Sequence, residues 1–223
     1  MAPEARGKAA DQVVDVLVAL HELDPHQLGL SDMVRKAGYV ERQLRRWHGL
    51  VHASGATGLG LLDEVHDLLA RNIPEQTNGI VHGDYRPGNL SFAADGTAVA
   101  VFDWELATSG DPMADLGWLA STWQDPDEDT PATTPGPSTV DGFPRRAQIV
   151  ERYARESGRD VSNLPYWLGF SRWRIACIGI GVRARYEAGH MADDGFQDEM
   201  AEYAKLGDQM ALAARDALHD VGI

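Results

Sequence analysis

The residues of this chain best suited to chemistry cluster in Val81-His82-Gly83-Asp84-Tyr85-Arg86-Pro87-Gly88-Asn89. Asp103 follows fourteen positions after Asn89, closing the apolar run Val99-Ala100-Val101-Phe102 ahead of Trp104-Glu105. A carboxylate that takes the proton of a hydroxyl, beside an amide oxygen and a second carboxylate that hold Mg2+ against phosphate oxygens, is what phosphoryl transfer to an alcohol asks of a protein. The reaction needs in-line positioning and charge neutralisation rather than covalent help. In this reading Asp84 is the proton acceptor, and Asn89 and Asp103 are the metal ligands. Pro87 and Gly88 turn the chain so that Asp84 and Asn89 face one cavity. Taken alone, Asp84 reads equally well as a turn-capping carboxylate. A metal-dependent hydrolase built on Asp84 and Asp103 would leave Asn89 without a role.

Around these three, His82 reads as a supporting residue that packs under the loop and bonds backbone. Arg86 either meets a phosphate or an acidic substrate group, or is a solvated loop charge. Asp115 either braces the loop from behind or is a first-turn carboxylate favoured by the helix dipole. Glu105 suits a second ion or a strand-end ion pair. Gly55-Ala56-Thr57-Gly58-Leu59-Gly60 has the order G-x-x-G-x-G after a helix, not the G-x-G-x-x-G after a strand that cradles a dinucleotide, so it is read as a linker. His48, His52 and His66 are assigned helix-surface or packing roles. Gly179 and Gly181 are expected to permit close helix packing. No H-E-x-x-H, G-x-S-x-G or Cys/His metal pattern occurs.

The elements that must position these residues are mostly helices. Val13, Leu17 and Leu20 put one apolar stripe on a helix ending near Asp24-Pro25, and further helices are expected over about 40–51 and through Leu61, Leu62, Val65, Leu68 and Leu69. Between Gly79 and Trp104 short apolar runs (Ile80-Val81, Leu90-Ser91-Phe92, Ala98 to Phe102) alternate with Gly83, Pro87-Gly88 and Asp95-Gly96, the pattern of a small β element with a tight hairpin at Asp95-Gly96. Asp111-Pro112 reads as an N-cap with Pro in the first helical position, opening a helix through Leu116, Leu119 and Ala120. Residues 12–123 form the core around the catalytic loop, 124–144 a mobile loop poor in residues to bury, and 145–223 a helical subdomain with helices to about Ser157, over 164–187 and over 194–219. The 223 residues, 43% hydrophobic, suffice to bury about 70% of the unfolded surface.

A net charge of −14 repels nucleic acid and anionic membranes, so neither is expected as a partner. Cys177 is the one cysteine, which rules out an intramolecular disulfide and suits a reducing cytoplasm. The first dozen residues carry no apolar segment, and the longest strongly apolar stretch, 175–182, is too short to span a bilayer. A soluble, cytoplasmic protein is expected.

The stretches HGDYRPGN (82–89), AVAVFDWELATSGDP (98–112) and ADLGWL (114–119), with ALHELDPHQLGLSDM (19–33) and GYVERQLRRWHGL (38–50), resemble the aminoglycoside phosphotransferase and choline kinase-like family. The likeness lies nearest the branch that forms the kinase-like portion of acyl-CoA dehydrogenase fusion proteins, and spans about 13–123. It implies an α+β, mainly helical fold, the protein kinase-like C-terminal lobe, with a small β element carrying the catalytic loop. It implies ATP as nucleotide and Mg2+ as cofactor, base duty for Asp84, Mg2+ binding for Asn89 and Asp103, and support from Asp115. Trp104-Glu105 stands where protein kinases have Phe-Gly, which argues for a small-molecule hydroxyl acceptor rather than a protein.

Enzymes of that family begin with a β-rich lobe bearing a phosphate-covering loop and a Lys for the phosphates. Upstream of His82 this sequence has no glycine-rich strand-turn-strand, and Lys8 and Lys36 lack strand surroundings. The expectation is a C-terminal lobe alone, whose missing lobe is supplied by the same or another chain. By itself such a chain is expected to bind Mg2+-nucleotide weakly and turn over ATP negligibly. The alternative is a non-catalytic remnant that keeps the substrate-binding half of the cleft. Acceptor contacts are expected from Trp118, Trp123, Trp167 and Trp173 with acidic residues of the last helices, suiting amine-bearing sugars or hydroxylated acyl compounds.

Overall fold

Helices are set by apolar stripes and strands by short runs between turns, and the elements follow the chain as α1 (Pro3–Glu22), α2 (Tyr39–Ala53), α3 (Gly60–Arg71), β1 (Gly79–Val81), β2 (Leu90–Phe92), β3 (Ala98–Val101), β4 (Thr108–Gly110), α4 (Met113–Thr122), α5 (Arg146–Ser157), α6 (Leu164–Glu187) and α7 (Met200–His219). The computed structural model describes residues 1–34, 38–128, 136–189 and 200–223. They divide into two compact units, each drawn from two stretches of sequence: 1–39 with 75–167, and 40–74 with 168–223. Among the described residues, no helix is long and apolar enough to cross a membrane.

In the first unit α1 buries Ala9, Ala10, Val13, Val14, Leu17, Val18 and Leu20. The stripe is wider than its sequence spacing announces. The helix also begins at Pro3, so the first residues, expected to precede it, are its opening turns. They bury nothing and leave no periodic trace, while Pro3 sits where a missing N–H costs nothing. α5 is tied to α1 by Arg152, which donates to Asp15 at 2.6 Å, and by Tyr153, whose hydroxyl meets His21 Nδ1 at 2.7 Å. Gly158 in the left-handed conformation ends α5.

The small β element comprises, among the described residues, two separate antiparallel ladders. β1 pairs with β4 (Ile80 opposite Ser109), and β2 pairs with β3 (Leu90 opposite Val101) with an irregularity at Ser91/Phe92. β4 is Thr-Ser-Gly, three residues without apolar alternation, which is why the sequence does not reveal it. The β2–β3 turn is wider than a two-residue hairpin: Gly96 N–H donates to Ala93 O at 3.0 Å and Ala93 N–H to Thr97 O at 2.8 Å. Lys8 of α1 reaches that turn through Asp95 at 2.7 Å.

The expected loop at 124–144 is anchored at both described ends. Trp123 donates to Pro144 O at 2.9 Å, Ser138 Oγ accepts from Gln124 N–H, and Arg146 bridges Glu128 and the carbonyl of Trp123. Residues 129–135 lie outside the described residues, as do 194–199 of the last expected helix.

The second unit is helical. Trp173 of α6 donates its indole N–H to Leu62 O of α3 at 3.0 Å, and Trp47 of α2 lies under the guanidinium of Arg174 at 5.0 Å. The glycines at close helix approach are Gly169, against Leu218 and Ala214, and Gly207, against Ile180; Gly181, read from sequence as a packing glycine, has open space where a Cβ would stand.

Candidate active site

The stretch from β1 to α4 lies within the first unit, and its loop conformation is imposed by backbone bonds. Asp115 is fully buried and accepts His82 N–H on Oδ2 at 2.7 Å and Gly83 N–H on Oδ1 at 2.8 Å. Gly83 is left-handed at φ 85°, and a Cβ there would stand 2.7 Å from Leu106 O, so no other residue fits. Tyr85 is buried and donates to Val13 O of α1 at 2.8 Å; burial and the nearby Asp115 push its hydroxyl above the usual phenol range. Asp111 sets the start of α4 by accepting Met113 N–H at 2.8 Å, and holds Thr77 N–H at 2.6 Å with its other oxygen. The helix starts one position later than the sequence suggests, with Pro112 at its N-cap and Asp111 bonding the first helical N–H from the residue before.

His82 is buried with both ring nitrogens engaged. Nε2–H donates to Phe102 O at 2.9 Å and Nδ1 accepts Asp84 N–H at 3.2 Å. A carbonyl only accepts and an amide N–H only donates, so the ring is the Nε2–H tautomer and has no lone pair left for proton transfer. It fixes the peptide between Phe102 and Asp103 against the peptide of Asp84.

Asp84 and Asn89 meet side chain to side chain. Asn89 Nδ2 donates to Asp84 Oδ2 and to the Asp84 carbonyl, both at 2.8 Å. With its nitrogen spent on Asp84, the amide has Oδ1 as its remaining acceptor. Trp118 of α4 donates to Asp84 Oδ1 at 2.6 Å, a contact no sequence pattern announces because 34 residues separate the two. Each carboxylate oxygen of Asp84 thus takes one bond and keeps a second lone-pair direction. Arg86 Nε lies 3.5 Å from Asp84 Oδ1, and its guanidinium folds back over Gly88, where a Cβ would come within 2.6 Å of Nη1.

Asp103 follows a residue that the backbone ties to this pair. Phe102 N–H donates to Asn89 O at 2.8 Å, and the following carbonyl is the one bonded by His82. Asp103 is exposed and left-handed at φ 65°, ψ 57°, the one non-glycine residue with positive φ among the described residues. That conformation costs an L-residue on the order of 1 kcal/mol and occurs where surrounding structure over-determines it. Its carboxylate makes no capping bond to the turn Trp104–Leu106 that it precedes. Glu105, also exposed, sits on that turn.

All four tryptophans expected to line an acceptor pocket are buried, three of them almost completely. Trp123, Trp167 and Trp173 are at most 1% exposed, and Trp167 packs on Gly117, where a Cβ would be 2.7 Å away. Trp118 faces Asp84. Trp104, tilted against the His82 ring at 4.6 Å, is the tryptophan that stays exposed here. The sequence reading placed tryptophans by their chemistry alone, whereas large aromatic area goes first to the interior.

Comparison with family profiles matches residues 1–149 to the phosphotransferase enzyme family. The chain belongs to that family. Acyl-CoA dehydrogenase family member 11 of Rattus norvegicus is 32% identical over 205 residues, covering 88% of this chain and 26% of its own length. The family member 10 of Mus musculus is 27% identical over 227 residues, 96% of this chain and 20% of its own. The chain therefore spans about a quarter of the length of the curated relatives it matches. Among solved structures, a protein of Ralstonia eutropha JMP134 classed as an aminoglycoside phosphotransferase superposes with a TM-score of 0.83 at 29% identity, covering 97% of this chain and 67% of that one. A spectinomycin phosphotransferase solved with ADP and spectinomycin shares the fold at a TM-score of 0.60 and 14% identity, covering 94% of this chain and 66% of that one. The mainly helical architecture with small ladders is thus the kinase-like phosphotransferase fold.

Proposed function

We propose that this phosphotransferase moves the γ-phosphoryl group of ATP to a hydroxyl of a small molecule, with Asp84 as proton acceptor. The observation that supports the reading is the pairing of Asp84 with the nitrogen of Asn89, which leaves Oδ1 as the acceptor of that amide, while the backbone bond from Phe102 to Asn89 ties in the residue before the strained, exposed Asp103. An amide oxygen and a carboxylate are hard donors that suit Mg2+, which takes its other positions from phosphate and water; bound there, Mg2+ supplies charge neutralisation at the phosphates. The chain's own residues do the rest. Trp118 and Asn89 orient the Asp84 carboxylate so that its free lone pairs take the proton as the acceptor oxygen bonds phosphorus and the bond to ADP breaks. His82, Asp115 and Gly83 hold the loop that presents it, and Arg86 offers a cation beside the developing charge.

The test is transfer of label from γ-labelled ATP to a panel covering amine-bearing sugars and hydroxylated acyl compounds, the two acceptor classes that the names of its structural neighbour and curated relatives suggest. Label is expected on one class once the family's β-rich lobe is supplied on the same or another chain, and in that assembly Asp84→Asn should lower the rate by about 10²–10⁴. Transfer unaffected by that substitution refutes the assignment of Asp84.

A further inference from the structure

The second unit holds a group of side chains that phosphoryl transfer does not use. We propose that His48, His52 and Asp63 form a binding site for a divalent transition metal of the zinc class, separate from any Mg2+ held by Asn89 and Asp103. His48 and His52 are one turn apart on α2, the i, i+4 spacing that points two imidazoles in one direction. Asp63 stands in the first turn of α3, returned toward them by the linker in which Gly55 and Gly58 both adopt positive φ, at 80° and 73°. The Nε2 atoms of His48 and His52 each lie 2.8 Å from the same oxygen, Asp63 Oδ1, and the three potential ligand atoms fall within 4.8 Å of one another. This is the one such group of three among the described residues. The sequence alone assigns these histidines surface or packing roles, because their third partner is an aspartate eleven residues beyond the second histidine.

The donor chemistry selects the ion. The two imidazole nitrogens, borderline ligands set beside one hard carboxylate, favour Zn2+, Co2+ or Ni2+ over Mg2+, and three protein ligands leave one tetrahedral position for water. Ligand bonds of about 2.0–2.2 Å at tetrahedral angles set neighbouring ligand atoms roughly 3.3–3.5 Å apart. Each nitrogen-oxygen separation must therefore open by about half an ångström, within reach of half-exposed side chains. In the metal-free state both Nε2 atoms carry protons donated to Asp63. The cation replaces them, each neutral ring moving its proton to Nδ1 and any imidazolium releasing one. His66 positions the site: its ring stacks on His48 at 4.2 Å and 28°, and its Nδ1 is fixed by Asp67 at 3.1 Å.

The experiment is calorimetric titration of the untagged full chain with Zn2+, with Mg2+ titrated in parallel and Co2+ absorption reporting coordination geometry. One Zn2+ per chain is expected, with affinity reduced at least about tenfold in His52→Gln and in Asp63→Asn, retained in Asp103→Asn, and with tetrahedral Co2+ bands that vanish in the same two variants. Circular dichroism verifies that both variants keep their helices. No saturable Zn2+ binding by the wild-type chain up to about 100 µM, or binding equal in wild type, His52→Gln and Asp63→Asn, overturns the proposal. Because the readout is binding of Zn2+, it is independent of whether the chain transfers phosphate.

Discussion

Replacing Asp115 by alanine should be among the most destabilising single changes in the first unit. Its two oxygens accept the N–H groups of His82 and Gly83 at 2.7 and 2.8 Å, and His21 Nε2 lies 3.4 Å from Oδ2. All of this is shielded from water. A hydrogen bond to a charged acceptor contributes about 1.5–3 kcal/mol, and an orphaned buried donor carries its own desolvation penalty. Two such bonds give a loss of about 3–6 kcal/mol, a large part of the 5–15 kcal/mol that holds an ordinary domain together. Asp115→Asn keeps one acceptor but turns an NH2 toward a backbone donor, so it should recover at most half of the loss. Urea unfolding followed by tryptophan fluorescence reads the difference, and hydrogen exchange at the His82 and Gly83 amides should accelerate in step. A change in Asp115→Ala below about 1 kcal/mol, with exchange at both amides unaltered, would refute the claim that this carboxylate shapes the loop.

Asp103→Gly should leave stability within about 1 kcal/mol of wild type, because relief of the left-handed conformation is offset by the freedom glycine gives the unfolded chain; denaturation measures it, and a loss above about 2 kcal/mol would show that Asp103 is structural rather than a strained functional residue. Trp118→Phe keeps an aromatic side chain but removes the donor to Asp84 Oδ1, so with the β-rich lobe supplied kcat for phosphoryl transfer should fall about tenfold or more with KM little changed; a rise in KM at constant kcat would reassign Trp118 to acceptor binding. Burial raises the Cys177 thiol well above its usual pKa, so at pH 8 it is protonated in the folded chain and aromatic disulfide reagents should label it at the unfolding rate. Immediate stoichiometric labelling without denaturant would contradict that burial.

The legible parts of this molecule are those encoded locally. The helix over Leu164–Glu187 falls in a long stretch with no turn signal, the end of α5 at Ser157 is marked by Gly158, and the spacing of Asp84, Asn89 and Asp103 is written in the sequence. What joins them is not. The bonds from Trp118 to Asp84, Asp115 to His82 and Gly83, and Phe102 to Asn89 each link positions 13 or more apart, and no spacing rule reaches that far. β4 is silent because three small residues carry no pattern. Trp123, Trp167 and Trp173 read alike in sequence whether they fill a core or line a pocket. The third partner of His48 and His52 belongs to another helix, beyond the reach of any spacing rule.

The most direct test of the central claim, that Asp84, Asn89 and Asp103 make one oxygen-lined centre, is paramagnetic broadening of the 15N-labelled chain by Mn2+ with ATP present. Amides of residues 83–86, 88–90 and 102–105 should broaden first, and Asp103→Asn should remove the effect. Broadening centred elsewhere in the chain, or unchanged in that variant, would contradict it.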